Sequence, residues 1–506
     1  MLNFSCRWTA GLGVVLALGA CGGGGGGDTA AETSADDTAT TTTVSYAGTD
    51  RIEPLDTALS DTTKSVAEAQ ASGGRTLLAP SSVRLGPVGD VSRLLGVKAQ
   101  SKNLQRGPRQ IGVARDLAAT ATRQNLLARL QWTAVEGGGR RAAISFTSDG
   151  ARGVRVGVLV RSLPAGTVLR FHAQAGTQGG DVFTVTAEQV LQTLQRNLAA
   201  GDTGDAARTY WGPDFGGAET TLELELAPGA QLAKLDIAVP TLSHFFVAPS
   251  DAAEAKITKV GEAGTCNIDV SCRPELAAES RSVARMVFVD GGASYLCTGT
   301  LVNDATGSTT PYFLSAHHCI SKQTVASTLT TDWFYHSTAC NSGSANPSAQ
   351  RVAGGAQLLY ASASTDTSFM RLNASAPQGA LFAGSYFGSP AQTAAAVVGI
   401  HHPMGDLQKT SSGAVAQYSN CANEVCVTST AESGRFLTVG WSEGVTEGGS
   451  SGSGLFYPLD GKRYLVGQLY GGYSSCADPA GQDQYGRFDT AFRASLKNWL
   501  MPDYTP

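Results

Sequence analysis

The sequence predicts a mainly β protein in two parts: a β-rich N-terminal domain over residues 50–259, and a pair of small β-barrels with a terminal helix over residues 260–506. Three observations predict it. Runs that alternate like strands recur through residues 50–258, a stretch without a cysteine. From 260 onward the chain stays β-rich, becomes glycine-rich and carries cysteines. The one convincing helix of that half lies at its end, Thr490 to Leu500 (TAFRASLKNWL), with apolar positions on one face. A length of 506 residues calls for two or more domains plus a tether.

In the first domain, Ala142 to Phe146, Val154 to Val160 and Thr167 to His172 read as strands, and Leu163-Pro164-Ala165-Gly166 as the turn between the last two. Thr221 to Leu226 (TLELEL) alternates again before Pro228-Gly229. Ala187 to Leu198 reads as a helix, because Val190, Leu191, Leu194 and Leu198 recur at helical spacing. The two histidines here, His172 and His244, stand alone, so this domain offers no catalytic constellation.

Residues 1–20 read as an export signal. Arg7 gives a basic start, and Gly11 to Leu18 form an apolar stretch too short to span a bilayer. Leu18-Gly19-Ala20-Cys21 then resembles a bacterial lipobox, which makes Cys21 the expected lipid-bearing N-terminus; the competing reading is an ordinary signal peptide cut nearby. Residues 21–49, rich in glycine, threonine and acid, cannot bury a core and read as a flexible tether. The expected location is extracytoplasmic: on the bacterial outer membrane or cell surface through the lipid on Cys21, or secreted after processing. A net charge of −5 carries no basic footprint for nucleic acid. We expect a monomer without a cofactor.

Of the 10 cysteines, Cys6 falls in the signal and Cys21 is the lipid site. The remaining Cys266, Cys272, Cys297, Cys319, Cys340, Cys421, Cys426 and Cys476 are an even set that an oxidising compartment would pair. Eight cysteines allow roughly a hundred pairings, so the count alone assigns none. The set has no Cys-x-x-Cys spacing, and no metal is expected.

A serine becomes a nucleophile when a neutral imidazole takes its proton, a carboxylate orients that imidazole, and donors await the oxyanion. The segment Glu447-Gly448-Gly449-Ser450-Ser451-Gly452-Ser453-Gly454 supplies a serine among glycines that let the backbone turn its N–H groups toward a carbonyl. A solvated linker is the bland alternative. The strand-like runs Leu455-Phe456-Tyr457 and Tyr464 to Leu469 argue against it. Residues 448–452 also fit G-x-S-x-G centred on Ser450, but that nucleophile elbow needs a histidine later in the chain, and none follows His402. The order His…Asp…Ser remains open.

His318 ends the run Tyr312-Phe313-Leu314-Ser315-Ala316-His317-His318-Cys319, which resembles the trypsin-like motif of a base before a disulfide cysteine. Cys297-Thr298-Gly299-Thr300-Leu301-Val302 looks like the strand bearing that cysteine's partner. His317 is excluded on the expectation that neighbours on a strand point opposite ways. Asp366-Thr367-Ser368-Phe369-Met370-Arg371-Leu372 resembles the aspartate motif, whereas Asp332 and Asp406 lack that context.

Five blocks in order extend the resemblance. Cys266 to Val270, Phe313 to Cys319, Ile400 to Pro403, Gly449 to Ser453 and Asp483 to Arg487 are similar to the bacterial lysyl endopeptidases, serine endopeptidases of the chymotrypsin fold, over about residues 261–500. The resemblance implies His318, Asp366 and Ser451 as catalytic triad, and the N–H groups of Gly449 and Ser451 as oxyanion hole. It implies Asp483, with Gly471 and Gly472, as the pocket for a substrate lysine or arginine, since a buried carboxylate awaiting a cation discriminates strongly. The implied disulfides are Cys266–Cys476, Cys272–Cys340 and Cys297–Cys319; Cys421 and Cys426 are extra and, five apart, read as closing a local loop. The region before 258 resembles the family's propeptide in position. Cleavage near Lys256 or Lys259 by the enzyme's own activity would then separate the halves and release the protease from its anchor.

Two departures stand out. Tyr470 occupies the place of a family histidine beside the catalytic base, and residues 426–439 contain no tryptophan to partner it. Ser450 stands where trypsin has the aspartate that pairs with a freed N-terminus, so activation by that ion pair is not expected. The expected function is hydrolysis of peptide bonds after lysine, or arginine, through an acyl-enzyme. A non-catalytic surface binding protein on a protease scaffold is the alternative, as is a permanent accessory role for the first domain.

Overall fold

The alternating runs become strands because alternate residues find apolar surface on one side. The computed structural model describes residues 48–58, 80–89, 107–173, 182–247 and 263–504, all within the unit Tyr46–Pro506. The leader with Cys21, the tether, and Lys256 and Lys259 lie outside the described residues.

In the N-terminal domain one sheet runs Ser81–Leu85, Arg140–Ser148, Glu219–Leu226, Val168–His172, Val182–Thr186. Leu222, Leu224 and Leu226 of TLELEL enter the core as the alternation predicts. The opposite face is not simply wet: Glu223 is buried as well, held by Arg170 at 3.2 Å and Arg141 at 3.6 Å. A buried carboxylate persists when guanidinium groups surround it. The predicted helix spans Ala187–Ala199, opened by a capping box between Thr186 and Gln189, with Val190 and Leu194 on its buried face.

The second sheet crosses from one half of the chain to the other. It runs Thr209–Trp211, Gly153–Ser162, Asp236–Phe245, Arg109–Asp116, Ala293–Val302, Val283–Asp290, Thr330–Trp333, Gln350–Val352. Arg109–Asp116 is the joint: Phe245 lies opposite Gly112 on one side, and Ser294 and Leu296 lie opposite Gly112 and Arg109 on the other. Ala293–Val302 continues past the joint to pair with Tyr312–Ala316.

The C-terminal half holds both barrels, though unequally. Lys462–Gly472 pairs with Gly454–Leu459 on one edge and Gln482–Arg487 on the other, which closes a ring through Ala396–His401, Lys409–Ala422 and Phe436–Glu443. The first barrel is a half-barrel: among the described residues no ladder joins Ala356–Ser362 to Gln350–Val352. Its strand Ala293–Val302 gives its first residues to the N-terminal domain instead. The terminal helix runs from Phe488 to Leu500 with a π-type turn at Phe492–Leu496, and buries Phe492, Leu496 and Leu500.

The first described residues belong spatially to the C-terminal half. Arg51–Ile52 pairs with Ser385–Tyr386 and Leu55–Asp56 with Leu381–Phe382. Arg281 meets the Asp56 carboxylate at 2.5 Å.

Candidate active site

Four disulfides tie the site together: Cys266–Cys476, Cys272–Cys340, Cys297–Cys319 and Cys421–Cys426. The first three match the pairings that the family resemblance implies, and the fourth matches the local loop read from the spacing of its cysteines. Cys421 and Cys426 face each other across a hairpin, which makes theirs the local loop. Cys297, Cys319 and His318 converge, but the two sulfurs are bonded to each other and offer no thiolate to a metal.

The strand Tyr312–Ala316 stops one residue before His317, so both histidines sit in a turn rather than on a strand. The expectation that pleating separates them therefore fails. What separates them is Asp366: the His317 N–H donates to the Asp366 carbonyl at 2.9 Å, whereas His318 donates its N–H to Oδ1 at 3.1 Å and places Nδ1 2.7 Å from Oδ2. Asp366 adopts φ +50°, a left-handed conformation that aspartate tolerates better than most residues. With Nδ1–H engaged by the carboxylate, Nε2 is the acceptor nitrogen, and it has no hydrogen-bond partner among the described residues.

The two other aspartates are occupied elsewhere. Asp332 binds Arg285 at 2.8 Å and Arg351 at 2.7 Å. Burial alone would raise its pKa, but Arg351 and Arg285 outweigh it and hold the carboxyl at about 2. Burial pushes Asp406 up to about 6 against the pull of Lys409.

Ser451 lies in a glycine turn seated on the histidine strand. Its carbonyl accepts from the Thr298 N–H at 2.8 Å, and Thr298 Oγ1 donates to the Gly449 carbonyl at 2.9 Å. Gly449 has φ +95° and Gly452 φ +81°, and a Cβ on Gly452 would overlap Ser315 Oγ beside Ala316. Only glycine allows that approach. The Ser451 hydroxyl donates to a carbonyl that the sequence did not single out, that of Gly107, at 3.3 Å.

Tyr470 is the extra residue of a bulge between Leu469 and Gly471, and its ring meets His318 edge-on at 6.2 Å. Phe436 packs edge-on against Tyr470 at 5.2 Å. A tryptophan does occur slightly later, and it does something else: Trp441 Nε1 donates to Asp483 Oδ2 at 2.7 Å.

Asp483 is fully buried. Oδ2 accepts from Trp441, from Thr446 Oγ1 at 2.7 Å and from Ser474 Oγ at 2.6 Å, while Oδ1 accepts from the Ser474 N–H at 3.1 Å. Among the described residues no cation pairs with it. Burial pushes its pKa up, and the four donors only partly oppose this. Gly472 lies opposite Asp483 in the ladder, and a Cβ there would overlap Oδ1, so glycine keeps that oxygen approachable. Gly471, at φ +143°, completes the bend.

These parts, on a double β-barrel of the chymotrypsin type, define the class: the chain is a serine endopeptidase. Residues 260–486 match the family described as lysyl endopeptidase, C-terminal domain, and residues 84–246 the lysyl endopeptidase N-terminal domain. A lysyl endopeptidase of Pseudomonas aeruginosa is 33% identical over 411 residues, covering 78% of this chain and 82% of its own. The chain belongs to the lysyl endopeptidase family. Among solved structures, a thermostable serine protease from an extremophilic microorganism is 13% identical with a TM-score of 0.32, covering 44% of this chain and 98% of that one. A protease of M. tuberculosis in its active form is 16% identical with a TM-score of 0.31, covering 49% and 92%.

Proposed function

We propose that this endopeptidase cuts on the carbonyl side of lysine through an acyl-enzyme on Ser451. The observation that carries the proposal is the buried His318–Asp366 pair with an unpartnered Nε2, beside Cys319, whose Sγ lies 3.8 Å from the Ser451 carbonyl. His318 Nε2 takes the Ser451 proton as Oγ bonds the scissile carbonyl carbon. The N–H groups of Gly449 and Ser451 receive the oxyanion, and His318 then passes the proton to the leaving amine. Water, activated by the same imidazole, frees the acid product and restores Ser451.

Asp483 supports lysine over arginine. Three donors already occupy Oδ2, and Oδ1 retains a lone pair above Gly472. An ammonium is a point donor that one oxygen can satisfy, whereas a guanidinium fork is best met by two. The test is a set of peptide amides ending in lysine, arginine or leucine, with the expected order lysine above arginine and leucine far below. The pH dependence adds a sign. Protonated Asp483 no longer attracts an ammonium, and burial raises its pKa. The lysine-to-leucine ratio of kcat/KM should therefore fall with decreasing pH, starting above the ordinary aspartate value of about 3.9. A leucine substrate cut as fast as lysine would sink the assignment of Asp483.

The N-terminal domain reads as an inhibitory cover. Support comes from the Gly107 carbonyl on Ser451, the ladder of Arg109–Asp116 along Ala293–Val302, and the 2.7 Å ion pair between Asp214 and Arg351. The hydroxyl that His318 needs is turned to Gly107 instead. The strap is also a poor substrate, since glycine brings no cation to Asp483 and Pro108 offers no N–H. Cleavage at Lys256 or Lys259 frees the cover covalently and parts the protease from a lipid on Cys21. A chain with both lysines changed to alanine is expected to hydrolyse a small lysyl amide about tenfold or more slower than wild type. Equal rates, with the variant still in one piece on a denaturing gel, would favour a permanent accessory domain.

A further inference from the structure

Two glycines in the nucleophile turn have positive φ, Gly449 at +95° and Gly452 at +81°. Glycine visits many conformations at little cost, so sequence alone does not hold Gly449 and Ser451 with their N–H groups aimed at a carbonyl. Something outside the turn must. In trypsin the residue before the nucleophile is an aspartate, fastened by a newly freed N-terminus. Here that residue is Ser450, and it is fully buried.

Its partner is His401, also fully buried, with Nδ1 2.8 Å from Ser450 Oγ and Nε2 3.0 Å from Ser411 Oγ. The Ser411 hydroxyl donates to the Val445 carbonyl at 2.8 Å, so it accepts from His401, which puts the proton on Nε2 and makes Nδ1 the acceptor of Ser450 O–H. Ser450 Oγ accepts in turn from the Glu447 N–H at 3.2 Å. Donation thus runs one way, Glu447 to Ser450 to His401 to Ser411 to Val445, and ties the turn to two neighbouring strands and to the stretch just before it. No group in that relay carries charge: Glu447 enters it through its backbone N–H, and burial pushes the His401 pKa down to about 3 with Lys409 adding to the push.

The Glu447 carboxylate supplies the second fastening. Its Oε2 accepts from the Gly264 N–H at 2.9 Å and from Asn267 Nδ2 at 3.0 Å. Gly264 sits so close to Cys476 Sγ and Glu447 that a Cβ there would overlap the sulfur. The segment that begins the C-terminal half is therefore clamped to the turn by an amide N–H, which exists whether or not the chain is cut upstream.

We propose that Ser450, His401 and Glu447 are positioning residues that hold the oxyanion-donor turn through a neutral relay and an amide clamp, so that the turn is formed before any cleavage. The proposal rests on the reading of Ser451 as nucleophile. Latency of the uncut chain then comes from the Gly107 strap and not from a disordered oxyanion hole.

The test compares Ser450→Ala, Glu447→Gln and Ser451→Ala with the wild-type full chain, each processed by a trace of wild-type protein whose own rate is subtracted. Ser450→Ala is expected to lower kcat on a lysyl amide by about 10²-fold, as loss of one oxyanion donor does, with KM unchanged. Inhibition by n-butylamine, a lysine side-chain mimic, should stay as in wild type and so report an intact pocket. Glu447→Gln, which keeps the side-chain volume, is expected to show the same split and carries the test if Ser450→Ala does not accumulate. A kcat within twofold of wild type, or a KM and butylamine constant that worsen in step with kcat, would overturn the positioning role. Full activity in Ser451→Ala would instead overturn the mechanism on which the inference rests.

Discussion

Ser451→Ala and His318→Ala are each expected to lower kcat for amide hydrolysis by on the order of 10⁶-fold, and the double variant by hardly more. The reason is that the two act as one unit. Without the imidazole the hydroxyl keeps its proton, and without the hydroxyl the imidazole has no nucleophile to activate. A residual rate about 10³-fold above water should survive, because the N–H groups of Gly449 and Ser451 remain in place. Asp366→Asn is expected to lose about 10⁴-fold, since an amide at Oδ2 no longer holds Nδ1–H and the wrong tautomer is presented to Ser451. Single-turnover rates on a lysyl amide measure all four proteins. Additive losses in the double variant would mean that Ser451 and His318 work separately, contrary to the mechanism.

The second large effect concerns the pocket. Asp483→Asn should cost lysyl substrates about 2–5 kcal/mol, which is about 30- to 5,000-fold in kcat/KM. The loss arises because a substrate ammonium would be buried without its counter-charge. The variant also disturbs the three donors that converge on Oδ2, from Trp441, Thr446 and Ser474. Gly472→Ala keeps the carboxylate in the chain and sets a methyl group against Oδ1, though also against the Asp483 Cα and the Gln482 carbonyl, so the ladder must give as well. It should raise KM for lysine more steeply than it slows cleavage of a leucine substrate. A leucine rate that falls equally would show a collapsed ladder between Gly472 and Asp483 and not a blocked pocket.

How much of this was legible in the sequence depends on how far apart the cooperating residues lie. The turn around Ser451, the His318-Cys319 pair and the helix Ala187–Ala199 are short-range signals, each written in neighbouring residues whose chemistry or spacing suffices. The even cysteine set indicated disulfides, but three of the pairings came from family resemblance and only Cys421–Cys426 from its short spacing, because eight sulfurs have no order of their own. Local signals mislead where the chain departs from regular structure. His317 and His318 were separated by pleating on paper, yet they sit past the strand end, and Asp366 sorts them with its carbonyl and carboxylate. Phe436 and Trp441 show the same limit, as nothing in the string tells which aromatic faces Tyr470 and which reaches Asp483.

The sequence by itself determined the class of chemistry and the even set of eight cysteines, since glycine turns, motif spacing and parity do not depend on packing. Only the tertiary structure decided what touches the nucleophile. Gly107 and Ser451 are 344 positions apart, Glu447 and Gly264 are 183 apart, and His401 and Ser450 are 49 apart. Each pair is made by strands and turns brought together by core packing, and hydrogen bonds of that reach leave no mark in the spacing of residues along the chain.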